Sequence, residues 1–199
     1  MNQSDGKTVV VIFARHSIAT KVASKLRTLT VEGILKCIAA RHLLAEIVAA
    51  GIKVFCSNAL RALQTAQVLI GDCPREITAV PEMFEHPEDE ISKACEQLFA
   101  KYGLKNLKTY IETGEAEALL KYGSSAADAL KKAIDGKFDT DTLIVSHAPL
   151  LNAMGYNNMF LKCAKFQEIM LTHSFSEAQM LKVTVDVETQ NVLDIEFLN

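Results

Sequence analysis

The segment Val9-Val10-Val11-Ile12-Phe13 constrains this chain more than any other. It is apolar at every position, mostly β-branched, and too short to be a core helix. A strand of this kind presents an apolar side chain to both faces of its sheet, so both faces must be covered by helices. The expectation is a central strand of a mostly parallel sheet. The apolar run also stops abruptly, at Ala14-Arg15-His16-Ser17.

The rest of the chain repeats the alternation that such a strand demands. Thr30 offers an N-cap with Glu32 in the first turn, and Ile34, Cys37, Ile38, Leu44, Ile47 and Val48 form a stripe at helical spacing, predicting a helix over 31–50 that ends at Gly51. Strands are expected over 52–55, 76–80 and 142–145, with helices over 58–70 and from Pro149 onward. Leu150, Leu151, Met154 and Met159 give that last helix an apolar face for the sheet. Residues 87–137 carry helical spacing without a strand and read as two or three helices, broken near Gly103 and Gly123-Ser124-Ser125. The tail alternates through Leu181, Val183, Val185 and Val187, then Val192, Ile195 and Phe197, as an antiparallel hairpin turning at Thr189-Gln190-Asn191 would. The fold class expected is a three-layer α/β/α sandwich in one domain over 1–199. It carries a helical insertion before the last core strand, a possible lid, and a hairpin at the sheet edge.

Composition narrows the function classes. Lys plus Arg number 21 against 24 Asp plus Glu, a net charge of -3, which lacks the basic excess that binding along nucleic-acid phosphates requires. No apolar run approaches the roughly 20 residues of a bilayer span, and no basic segment precedes an apolar one as in a secretory signal. The five cysteines, odd in number and without a C-x-x-C pair, read as reduced thiols. A cytoplasmic protein with neither a nucleic-acid nor a membrane partner is expected.

In an open α/β sheet, ligands bind beyond the carboxyl ends of the parallel strands. The residues there are Arg15-His16-Ser17 after the first strand, Ser57-Asn58-Ala59-Leu60-Arg61 after the second, Pro81-Glu82 after the third and Ser146-His147 after the fourth. The chain has only five histidines and five arginines, yet two of each fall on this rim. Guanidinium groups present a planar fork to phosphate oxygens, and cations beside an imidazole favour its neutral, nucleophilic form. The rim reads as a phosphate site.

Phe13-Ala14-Arg15-His16, Arg27-Thr28-Leu29-Thr30-Val31-Glu32-Gly33, Ser57-Asn58-Ala59-Leu60-Arg61-Ala62-Leu63-Gln64-Thr65-Ala66 and Leu143-Ile144-Val145-Ser146-His147 resemble, in order and spacing, the successive blocks of the histidine phosphatase superfamily, the phosphoglycerate mutase-like proteins. Arg27 and Ser146-His147-Ala148-Pro149-Leu150 look most like the SixA-type phosphohistidine phosphatases. The resemblance implies that His16 is the nucleophile that becomes phosphorylated. It implies that Arg15, Arg61 and His147 hold the phosphoryl oxygens, and that a carboxylate, Glu82 or else Glu85, protonates the leaving group. Ser17, Arg27, Ser57 and Ala148 complete the substrate-binding set. The implied activity needs no metal or cofactor, and the implied substrate is a phosphohistidine protein or a phosphorylated small molecule.

Two positions depart from the family pattern. Ser17 stands where the family usually has Gly, which either distorts the loop or adds a hydroxyl, and hints at a phosphate-binding protein without turnover. Val22 replaces an Asn of the mutase-like members, which weakens a mutase assignment. The acidic run Glu82 to Glu90, with Pro87, reads as helix-start chemistry rather than a metal site. Cys56 reads as packing, and His173 as a loop residue able to approach the rim.

Overall fold

A computed structural model describes residues 6–21, 26–157, 161 and 163–198; Val22 and Met159 lie outside the described residues. Six strands form one sheet, β1 (Thr8–Arg15), β2 (Lys53–Cys56), β3 (Ile77–Ala79), β4 (Thr142–Ser146), β5 (Met180–Asp186) and β6 (Val192–Leu198), in the order β3-β2-β4-β1-β5-β6. The pairs β1–β4, β2–β4 and β2–β3 are parallel, while β5 runs antiparallel to β1 and to β6. The edge hairpin and the parallel centre are therefore as the sequence predicts.

The double-faced character of β1 has the physical cause read from its composition. Val9, Val11 and Phe13 point into one core with Phe55 and Ile144, beneath the helices of the second half of the chain. Ile12 and Ala14 point into the other with Val54, Cys56, Leu143 and Val145, beneath the helices of the first half. Each alternate residue from Val9 to Ala14 meets a helix layer, so no polar residue is tolerated between them, and Arg15 is the last residue of the strand.

The first-half layer contains α1 (Val31–Ala40), α2 (Ala45–Ala50) and α3 (Leu60–Ile70). Thr30 caps α1 by accepting from the Gly33 N–H at 3.0 Å. The single helix expected over 31–50 is interrupted by a 3-10 turn at Arg41–Leu44. Cys37, Leu44 and Val48 are buried, whereas Ile38 is 51% exposed, so the predicted stripe serves the core with only some of its members.

The second layer holds α4 (Asp89–Tyr102), α5 (Leu107–Glu112), α6 (Glu117–Ala133), α7 (Leu150–Tyr156) and α8 (Ala164–Thr172). Gly103 ends α4 at φ 71° as expected, but the second predicted break is misplaced, because Gly123 lies inside α6. A Cβ on Gly123 would sit 2.5 Å from the Ala153 carbonyl carbon of α7, so this glycine permits close helix packing instead of a turn. The helix α8 was not anticipated from the sequence.

Candidate active site

The parallel strands deliver their ends to one place. The His16 N–H donates to the Ser146 carbonyl at 2.9 Å and the Ser57 N–H to the Val145 carbonyl at 3.1 Å, so the residues after β1, β2 and β4 are tied together by backbone bonds. Above them opens a cavity of about 790 Å³ whose lining includes Arg15, His16, Arg27, Arg61, His147 and Ala148.

His16 is buried, with 7% of its surface exposed, and its ring is oriented by both nitrogens. Nδ1 lies 2.7 Å from the Ser17 carbonyl, which can only accept, so Nδ1 carries the proton. Nε2 is left with its lone pair, and the Arg61 Nε–H points at it from 3.3 Å. Burial lowers the His16 pKa to about 3; the Ser17 carbonyl opposes this shift, and the nearby charges of Arg61, Arg15 and Arg27 reinforce it. The imidazole is thus neutral at physiological pH, with its nucleophilic nitrogen facing the cavity's cations.

His147 stands beside it, ring centroids 4.8 Å apart. Its Nε2 is 2.7 Å from the Ser57 hydroxyl, which also accepts from the Ala59 N–H at 3.4 Å. With the Ser57 hydroxyl free to donate to Nε2, the proton of the neutral ring can sit on Nδ1, a buried atom without a protein partner. Burial, then the charges of His16 and the three arginines, hold the His147 pKa well below its ordinary value. Arg61 is 8% exposed, its Nη1 is buried without a partner, and its pKa is lowered to about 10, mainly by burial and further by Arg27. The Phe84 ring lies under its guanidinium, 4.8 Å from Cζ, and 4.9 Å from the His147 ring. Buried donors without partners, gathered around a neutral nucleophile, are what an oxyanion would satisfy.

Arg15 is held differently. Its Nη1 donates to the Phe175 carbonyl at 2.7 Å and its Nη2 to Glu177 Oε1 at 3.1 Å, leaving Nε without a partner. Phe175 and Glu177 were not found from the sequence, since nothing local links residue 15 to a loop 160 residues later.

Three sequence-predicted residues sit elsewhere than expected. Ser17 is fully buried and turned away: its hydroxyl donates to the Gly33 carbonyl at 2.9 Å and its N–H to Thr65 Oγ1 at 3.0 Å. Its φ is not among the positive values of the described residues, so the backbone makes no demand for glycine there. Ser57 lies behind His147 rather than on the cavity wall. Glu82 belongs to a 3-10 turn over Pro81–Met83 that ties back to β4 through the Ser146 hydroxyl and the Met83 carbonyl, and it does not line the cavity; Glu85, one turn on, does. His173 bonds to Gln179 Oε1 and packs between Phe175 and Phe197, away from the rim. Burial alone pushes the Cys56 thiol up to about 11.

The outer wall belongs to the segment 87–137. Asp89, Ser92, Cys95, Glu96 and Phe99 from one face of α4, with Leu104 and Tyr122, line the cavity opposite the strand ends. Helical spacing predicted α4, but its position over the site is a matter of tertiary packing.

Comparison with known proteins agrees with the fold. Several solved structures share the fold over nearly the whole chain. The protein histidine phosphatase SixA, complexed with tungstate, is 20% identical, with 96% of this chain and 97% of that chain covered and a TM-score of 0.54. A mycobacterial glucosyl-3-phosphoglycerate phosphatase is 13% identical with a TM-score of 0.61, again covering 96% and 97%. A phosphoserine phosphatase from Entamoeba histolytica, in complex with 3-phosphoglyceric acid, is 16% identical with a TM-score of 0.58 over 96% and 97%. No curated protein matches the sequence. The family model of the histidine phosphatase superfamily (branch 1) matches residues 20–193, and with the strand order and the paired histidines in view, the chain belongs to that superfamily.

Proposed function

We propose that the protein is a metal-independent phosphatase that works through a phosphohistidine at His16. The observation that carries this reading is the state of His16: a neutral, buried imidazole with Nδ1–H on the Ser17 carbonyl and an unprotonated Nε2 that faces the Arg61 guanidinium in a cation-lined cavity. In the first step Nε2 attacks phosphorus, the bond to the leaving oxygen breaks, and Glu85 gives that oxygen its proton. In the second, a water attacks the phosphohistidine and gives its proton to Glu85, the N–P bond breaks, and inorganic phosphate leaves. Arg61 neutralises charge on the equatorial oxygens and the His147 Nδ1–H donates a hydrogen bond to them, with Arg15 and Arg27 beside them. Phosphoryl transfer asks mainly for such positioning and charge stabilisation.

The wall formed by α4 favours a small phosphate ester, because a protein-borne phosphohistidine must bring its own backbone to the mouth. The SixA-like residues Arg27 and Ser146 to Leu150 favour phosphohistidine as the second reading. With Ser17 satisfied by Gly33, the hint of a binding protein without turnover loses its basis. The test is hydrolysis of an aryl phosphate in EDTA, together with trapping of acid-labile, alkali-stable phosphate that His16→Ala abolishes. Turnover by the alanine variant within tenfold of the parent overturns the nucleophile assignment. Glu85→Gln then separates substrates, since an alkyl ester needs the proton far more than an imidazole leaving group does. A parent that hydrolyses only the alkyl ester, with that activity lost in Glu85→Gln, favours the small-ester reading, and a parent that cleaves only a phosphohistidine peptide favours the other.

A further inference from the structure

The cavity is electrically divided, and the division bears on what leaves after phosphoryl transfer. Among the described lining residues the arginines are Arg15, Arg27 and Arg61, all close enough to bias His16, and there is no lysine. On the wall opposite the strand ends, Asp89 and Glu96 of α4 are exposed carboxylates that line the same cavity, with Phe99 and Tyr122. The Tyr122 phenol is held above its ordinary range first by burial and then by nearby groups that include Cys95, Glu85 and Glu96. The two ends of α4 agree: Asp89 and Glu96 are on the face that lines the cavity, while Lys101 is paired with Glu115 at 2.6 Å and does not line it.

Resting on the phosphatase reading above, we infer that the site selects phosphate monoesters of small alcohols bearing a positive charge, such as an ammonium group, and disfavours those bearing a carboxylate or second phosphate. The phosphoryl dianion enters the cationic floor, and the leaving group then extends toward α4. A cation there meets Asp89, Glu96 and two aromatic faces; an anion meets like charge. Because both carboxylates are exposed, each contributes modestly, roughly twofold to threefold in affinity for a cation and as much against an anion, so exchanging a cation for an anion spans roughly tenfold or more across the pair.

The experiment compares 2-aminoethyl, propyl and 2-carboxyethyl phosphate for kcat/KM, and for Kd by calorimetry, in the parent and in Asp89→Asn/Glu96→Gln, with an aryl phosphate as control. The expected order in both readouts is ammonium, neutral, carboxylate, with a span that shrinks in high salt as screening shortens to about 3 Å at 1 M. The double variant should narrow the ammonium-to-carboxylate ratio at least fivefold; because the same esters are compared in both proteins, intrinsic leaving-group differences cancel. A ratio unchanged by the double substitution, or a carboxylate ester bound as tightly as the ammonium ester, overturns the inference. If no ester, including the aryl control, is hydrolysed, the phosphatase reading fails, and the order of Kd values still decides whether the mouth selects cations.

Discussion

Arg61 offers the sharpest separation of function from stability. A guanidinium whose pKa falls from its ordinary 12.5 to about 10 is disfavoured in the folded chain by about 3 kcal/mol. Against this stand its bond to His16 Nε2, worth about 1 kcal/mol, and its stacking on Phe84, worth about 0.5–1 kcal/mol. Arg61→Met keeps the apolar stem on Phe84 and removes the charge. The balance predicts a ligand-free protein that is unchanged or more stable, by roughly 1 kcal/mol. The same substitution removes a donor to the phosphoryl oxygens, so kcat/KM should fall at least about a hundredfold, close to 3 kcal/mol of transition-state stabilisation. Urea unfolding with and without inorganic phosphate, beside steady-state kinetics, reads both quantities. Phosphate should stabilise the parent and leave the variant almost unmoved. A variant destabilised by more than about 2 kcal/mol, with kcat/KM within tenfold of the parent, would mean that Arg61 is a structural cap and that the reasoning is wrong.

Other outcomes follow from the same geometry. His147→Ala should lower kcat/KM roughly a hundredfold; Ser57→Ala, which only frees the His147 tautomer, roughly tenfold, with recovery in Ser57→Thr if its hydroxyl is the cause. The folded chain keeps His16 neutral down to about pH 3, whereas the unfolded chain protonates it near 6.5, so stability is complete above 6.5 and is lost as pH falls. Between pH 7 and 5 the parent should lose on the order of 2 kcal/mol more than His16→Ala in urea melts, and equal losses would refute the depressed pKa. A methyl on Gly33 would lie 2.2 Å from the Ile18 carbonyl oxygen, so Gly33→Ala should cost about 2 kcal/mol and reduce kcat by displacing the loop after His16. Retained stability and kinetics would show that the loop can relax.

The parallel core was legible because its causes are local. A strand buried on both faces must be apolar at every position and must end where polar residues begin, so the run from Val9 to Ala14 announces a central strand and the place of Arg15 and His16 at once. The same holds for the endings Ser57 to Arg61 and Ser146-His147, and for the hairpin, whose period of two survives in Val183 and Val185. What the tertiary structure decided involves partners far apart in the chain. Glycine inside a helical pattern has two local meanings, a break or a close approach; only the packing of α7 against Gly123 selects the second. Which acidic residue lines the cavity depends on the 3-10 turn that holds Glu82 and on the path the chain then takes through Glu85 toward α4. Ser17 illustrates the limit most clearly. Its sequence position advertises a departure, but whether a buried hydroxyl distorts a loop or steadies it depends on an acceptor, and the Gly33 carbonyl that takes its hydrogen bond comes from another element 16 residues on.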